Sequence, residues 1–203
     1  PITGASPTFA SVTINNAVVT FDAGSTASID VLATTNTVSL TAATLSINGL
    51  VVTSTLSLTV ATLTLNGGTL EVASGSILRL AAQSSSGGDL LVDGGGMFVQ
   101  MNAASLNFTA VTVLPGGLIT QAANTTSRAA LLNLNVSGNF DLRSGATISV
   151  NGLGYAGGTA NGSGYGPGAG IYGGDGSGAG HGGAGGRGSS GAGGGAAYDN
   201  ATS

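Results

Sequence analysis

The sequence predicts an all-β protein: a right-handed parallel β-helix, or β-solenoid, over residues 1–150, followed by a glycine-rich extended or polyproline-II-like segment over residues 151–203. Three observations predict it. Apolar and small polar residues alternate with a period of two from residue 8 to about 150. A glycine-punctuated motif repeats along that stretch. Composition then changes abruptly near Val150.

The alternation is plain in Leu56-Ser57-Leu58-Thr59-Val60, Leu63-Thr64-Leu65, Leu45-Ser46-Ile47 and Ile148-Ser149-Val150. β-branched residues dominate, and helical spacing is absent, so these segments read as strands. Ala and Leu favour helices, but the density of Thr, Ser, Val and Gly overrides them.

The repeat is gapless. Gly67-Gly68-Thr69-Leu70-Glu71-Val72-Ala73-Ser74-Gly75-Ser76-Ile77-Leu78-Arg79-Leu80 aligns with Ser137-Gly138-Asn139-Phe140-Asp141-Leu142-Arg143-Ser144-Gly145-Ala146-Thr147-Ile148-Ser149-Val150. Weaker copies surround Gly24, Gly49, Gly94 to Gly96 and Gly116. Glycine turns thus recur about every 20 to 29 residues, within the period of solenoid repeats. A short strand with one apolar face cannot bury it alone, and stacking coils makes a continuous core. A sandwich with Greek-key connections is the alternative architecture.

More than half of residues 152–195 are Gly, and every Tyr (Tyr155, Tyr165, Tyr172, Tyr198) lies beyond residue 154. Gly falls at every third position from Gly182 through Gly185, Gly188 and Gly191 to Gly194, which makes one bare face on a polyproline II helix. From Gly162 to Gly170 the period is two, which suits extended chain. A flexible linker is the other reading. Scarce Pro excludes collagen.

Charged residues are only 6% of the 203, against roughly 25% in an ordinary soluble domain. Residues 31–70, 94–127 and 144–174 carry no charge. Such a surface is poorly defended against association, so burial in an assembly or a coat of sugar is expected. The net charge is −4, and Arg79, Arg128, Arg143 and Arg187 are the only basic side chains besides His181. They form no basic stripe, which argues against nucleic acid. No membrane span or signal peptide is legible. Pro1 points to a processed N-terminus or a fragment. Cys is absent, which excludes disulfides and thiolate metal sites.

No catalytic constellation emerges, and no cofactor or metal is expected. Gly152-Leu153-Gly154-Tyr155-Ala156-Gly157 matches a dinucleotide fingerprint, with Asp175 downstream, but the glycines that follow cannot form the required helix. A phosphate loop needs a Lys, and there is none. His181 is the lone histidine, so multi-histidine sites are ruled out, and a Ser-His-Asp triad could use only His181, whose glycine flanks offer little to orient the ring. Asp175 alone does not make a calcium repeat. Asp89 with Asp93, and Asp22 with Asp30, are the only candidate carboxylate pairs for polysaccharide cleavage, with Arg79 as a basic partner. Corner positions of a solenoid explain them more simply. N-glycosylation sequons stand at Asn107, Asn124, Asn135, Asn161 and Asn200.

The Gly-Gly-Thr-Leu-Glu-Val-Ala-Ser-Gly-Ser style of residues 67–76 resembles adhesin and autotransporter passenger repeats. Residues 178–186, Gly-Ala-Gly-His-Gly-Gly-Ala-Gly-Gly, followed by Ala197-Tyr198, resemble the glycine-rich motif found after such repeats in large secreted surface and filament proteins of microbial eukaryotes and bacteria. The resemblance implies an extracellular role as adhesin, wall component or flagellar hair subunit, and brings no catalytic residues. The expectation is a non-enzymatic subunit of an extracellular filament or surface fibre. Its partners would be itself, other surface proteins or glycans. A displayed binding module, for carbohydrate or for ice, is the second expectation. For ice it rests on the Thr-x-Thr pattern of Thr62-Leu63-Thr64, with Ser39-Leu40-Thr41 and Ser57-Leu58-Thr59 as near misses.

Overall fold

The computed structural model describes residues 8–15, 18–20, 26–35, 38–159, 161–180 and 183–198, with side chains from residue 39 onward. Among them there is no helix, hence none long and apolar enough to cross a membrane. The chain forms two compact units, Pro1–Ala122 with Ala130–Val150, and Ala123–Ala129 with Asn151–Ser203.

The first unit is a parallel β-solenoid. Its strands are β1 (Thr8–Asn15), β2 (Val18–Thr20), β3 (Thr26–Thr35), β4 (Val38–Val52), β5 (Thr55–Leu65), β6 (Thr69–Val72), β7 (Ile77–Ser86), β8 (Asp89–Val92), β9 (Met97–Gln100), β10 (Leu106–Phe108), β11 (Ala110–Val113), β12 (Leu118–Gln121), β13 (Leu134–Val136), β14 (Phe140–Leu142) and β15 (Thr147–Ile148). The main sheet has 13 strands and runs β14-β11-β8-β6-β4-β5-β7-β9-β12-β15, with β1, β2 and β3 joined to it through β4. β10 and β13 pair separately.

The long strands turn corners. In β4 the buried residues are Leu40 and Ala42, then Leu45 and Ile47, then Leu50 and Val52. Each group keeps a period of two, and the phase slips between groups, so one strand serves three faces. β4 accordingly pairs with β2 over its first part, with β3 further on and with β6 at its end. β5 slips in the same way between Val60 and Leu63.

Register stacks like on like. On the first face Leu56, Leu78, Phe98, Ile119 and Ile148 form one column. On the third face Leu50, Leu70, Leu90, Val111 and Phe140 form another, beside Val52, Val72, Val92, Val113 and Leu142. All but Ile148, Phe140 and Leu142 are buried. Each buried aliphatic contributes about 1.5–3 kcal/mol relative to exposure. Phe98 meets Phe108 edge to face across the core, with ring centroids 6.5 Å apart. The aligned sequence copies therefore occupy the same columns, Leu70 with Phe140 and Leu78 with Ile148.

The corner between the third and first faces is built the same way in successive coils. Four-residue turns Ala73–Ser76, Asp93–Gly96, Leu114–Gly117 and Arg143–Ala146 each close by an N–H donated to the carbonyl three residues back, at 2.8 to 3.0 Å. The third residue is always Gly with positive φ: Gly75 at 73°, Gly95 at 81°, Gly116 at 85° and Gly145 at 86°. A type II turn requires that geometry, and glycine adopts it without steric cost.

Candidate functional site

Of the side chains that sequence analysis singled out for chemistry, Asp89 and Asp93 serve the framework. Asp93 Oδ1 accepts the Gly94 N–H at 2.7 Å within its corner turn. Asp89 Oδ1 accepts the Ala110 N–H of the next coil at 3.1 Å. Arg79 stands exposed between Ser57 and Val99 on an outward ladder. Asp22 and His181 lie outside the described residues, as does the side chain of Asp30. Among the described residues no cluster of three or more metal-ligating side chains forms. The Gly152–Gly157 stretch opens no helix.

Two sequon asparagines form a rung. Asn107 and Asn135 are register partners on β10 and β13. Asn135 Nδ2 donates to Asn107 Oδ1 at 3.1 Å and to Ser105 Oγ at 2.8 Å, and Asn107 Nδ2 donates to the Ser85 carbonyl at 3.0 Å. Both are exposed. A sugar on Asn107 leaves one amide hydrogen for Ser85. A sugar on Asn135 removes one of the two bonds it donates. The half-buried Asn124 accepts the Ala129 N–H on Oδ1 at 2.8 Å. Asn161 sits at φ 64° and accepts the Tyr172 hydroxyl at 2.7 Å. Asn200 lies outside the described residues.

A hydroxyl grid covers the second face. Register puts Thr44, Thr62 and Ser84 in one column, and Ser46, Thr64 and Ser86 in another. The columns are two residues apart on each strand and carry no charge. Thr62-Leu63-Thr64 is thus one rung of an array. Ser39-Leu40-Thr41 and Ser57-Leu58-Thr59 also stack on each other, but the next rung replaces them with Arg79-Leu80-Ala81.

The last coil has a different character. Phe140, Leu142 and Ile148 continue columns whose previous members, Val111, Val113 and Ile119, are fully buried, yet they are 43%, 46% and 41% exposed. Val150, next in the alternation, is 45% exposed. β14 and β15 close the two ends of the sheet order, so each has one paired edge. Among the described residues the solenoid therefore ends in an apolar core section whose last strands, β14 and β15, each have one edge outside the sheet pairing.

Sequence reasoning missed a polar feature of the core. Gln100 and Gln121 are register partners and both are buried. Gln100 donates to the Ala104 carbonyl at 2.5 Å and accepts the Asn133 N–H at 2.8 Å. Gln121 donates to the Ala130 carbonyl at 3.4 Å and accepts the Leu132 N–H at 2.8 Å. These amides satisfy irregular backbone that no strand pairs. The signal was present: Gln follows the core residues Phe98 and Ile119 at the same offset in successive repeats.

The second unit is organised by backbone. Its described residues contain one isolated bridge, Tyr172 with Gly176, and otherwise turns and irregular chain. Three segments close a cycle: Gly178 N–H donates to Gly186 at 2.9 Å, Gly185 N–H to Gly195 at 2.9 Å, and Gly195 N–H to Gly178 at 2.9 Å. A Cβ on Gly185 would overlap the Gly178 carbonyl, and one on Gly194 the Gly185 carbonyl. Asp175 ties the Ser189–Ser190 turn down, taking hydrogen bonds from both hydroxyls and from the Ser190 N–H at 2.7 Å. The Ser189 hydroxyl first, then the Ser190 donors, lower its carboxyl to a pKa of about 2. Comparison with protein-family models, curated proteins and solved structures finds no match.

Proposed function

We propose that this chain is a non-enzymatic structural subunit of an extracellular filament or cell-surface fibre that assembles through uncharged β-rich surfaces. The observation that carries the reading is the open last coil, where Phe140, Leu142, Ile148 and Val150 present core columns to solvent. An unpaired parallel edge over an apolar section is a template for a further coil. A head-to-tail contact that does not close on itself propagates as a fibre. The scarcity of charge removes the usual defence against such pairing. In this reading the coils are right-handed, as parallel crossovers almost always are. The glycine-rich segment runs as extended, polyproline-II-like chains whose bare faces pack closely, as the Gly178, Gly186 and Gly195 cycle suggests. Sugar on the exposed Asn107 would keep the side wall of the fibre soluble.

Electron microscopy of native material tests this. Filaments with a layer line near ~4.8 Å along the axis are expected. Phe140→Asp with Leu142→Asp should leave dispersed particles with an intact strand signal. Monodisperse monomers of the unmodified chain at high concentration refute assembly.

The hydroxyl grid of Thr44, Thr62, Ser84, Ser46, Thr64 and Ser86 supports a second reading, a displayed module that binds an ordered surface such as ice. A thermal hysteresis assay without a freezing-point gap eliminates it.

A further inference from the structure

All four tyrosines of the chain lie in the second unit, although they are scattered in sequence. All four line one cleft of about 680 Å³. That volume lies inside the range of about 300–1,000 Å³ typical of small-ligand sites. Among the described residues no charged side chain lines it. Polar groups on its walls include Thr159, Asn161, Ser177, the tyrosine hydroxyls and glycine backbone.

The rings are held before any ligand arrives. Tyr155 lies against the backbone at Gly166, and Tyr198 against Gly168, so closely that a Cβ at either glycine would overlap the ring. Tyr172 is fixed at both ends, its hydroxyl donating to Asn161 Oδ1 at 2.7 Å and its N–H to Ser163 Oγ at 3.0 Å. Tyr165 is 40% exposed and Ile171 is 48% exposed, so the cleft presents open apolar surface. Rings immobilised in advance lose little entropy on binding.

We infer that this cleft binds a neutral saccharide. Aromatic faces carry a negative quadrupole and attract the polarised C–H faces of a pyranose ring. Among the described residues the cleft offers a phosphate or a carboxylate no cationic side chain, and an ammonium group would use the rings but leave the mixed donors and acceptors of the walls unmatched. Proline-rich peptides also pack on aromatic grooves. However, Pro has no N–H to donate, and these walls carry glycine carbonyls and Asn161 Oδ1 as acceptors alongside N–H donors. A sugar hydroxyl both donates and accepts, so it matches walls of mixed polarity. This inference does not depend on filament assembly.

The chain has no Trp, so tyrosine emission of the full protein reports on this cleft alone. The full chain, made in a host that does not glycosylate Asn161, is titrated with cellohexaose, laminarihexaose, mannohexaose and decaproline. A saturable emission change with at least one saccharide is expected. Tyr165→Ala should weaken it about tenfold, and Tyr165→Phe should retain it. Absence of saturable change with all three saccharides overturns the inference, as does undiminished binding by Tyr165→Ala or a response to decaproline alone. If Tyr165→Ala perturbs the unliganded emission, saturation-transfer NMR on the unmodified chain decides. Transfer from tyrosine ring protons to saccharide protons supports the site, and its absence overturns it.

Discussion

The two units solve the same problem by opposite means. In the solenoid, side chains fill the interior and the strands stay a strand spacing apart, with close backbone approach confined to glycine turns such as Gly68 over the Asn48 carbonyl. In the glycine-rich unit, side chains are nearly absent and backbones themselves approach, as at Gly178, Gly185 and Gly194. The difference teaches where each is vulnerable. A core of columns suffers from losing atoms, and a bundle of bare backbones suffers from gaining them.

The largest effect should come from deletion in a column. Leu63 is fully buried in β5. Leu63→Ala should cost about 2–5 kcal/mol, read by urea unfolding of the strand circular dichroism. Tyrosine emission, which comes only from the second unit, should hold its own midpoint. A matched fall in both signals would show that the units unfold as one.

Addition should be next. Gly194→Ala places a methyl on the Gly185 carbonyl and should cost about 1–3 kcal/mol in the tyrosine-detected transition. Gly186→Ala meets nothing within 4 Å and should change stability by no more than about 0.5 kcal/mol. Equal effects at the two positions would break the comparison.

The smallest effect is electrostatic. Asp175 has its pKa lowered to about 2, so its contribution is present above the ordinary carboxylate value near 4 and is lost as pH falls through about 2. The second unit should therefore loosen between about pH 4 and pH 2 more than the solenoid does. Asp175→Asn should flatten that acid limb in a tyrosine-emission titration.

The solenoid was legible because its signals are local. Alternation in residues 56–60, and the matched glycines Gly75 and Gly145, were readable without knowing the partners. Column membership followed from the aligned repeat, Leu70 with Phe140. The corners inside β4 and β5 were less legible. There a single residue such as Ala43 or Ala61 slips the phase without any turn signature. Inward Gln100, Gln121 and Ser85 went unread, because a polar residue is not assigned to the core until its backbone partner is known, although the glutamines share one offset in successive repeats. The tyrosine cleft had no sequence signal beyond clustering, since Tyr155, Tyr165, Tyr172 and Tyr198 follow no period. Departure of Ala123–Ala129 into the second unit is equally silent, because contact between distant segments leaves no local trace.

Spacing around the coil carries a practical consequence. Stacked residues are separated by as few as the 18 positions between Asn48 and Asn66, and by as many as the 29 between Thr120 and Ser149. From Ala73 onward the glycine corner between the third and first faces keeps its four-residue form, whereas β4 and β5 are joined by Thr53 and Ser54 alone. Growth is concentrated at the edge between the first and second faces, from the lone Ala61 to residues 101–105 and then 122–133. Register on either side is undisturbed, with Val111 still opposite Phe140 and Leu106 opposite Leu134. That edge is a graft point: foreign peptide inserted between Asn102, tied to the Ala82 carbonyl, and Ala104, whose carbonyl Gln100 holds, should project from the solenoid while every rung keeps its place.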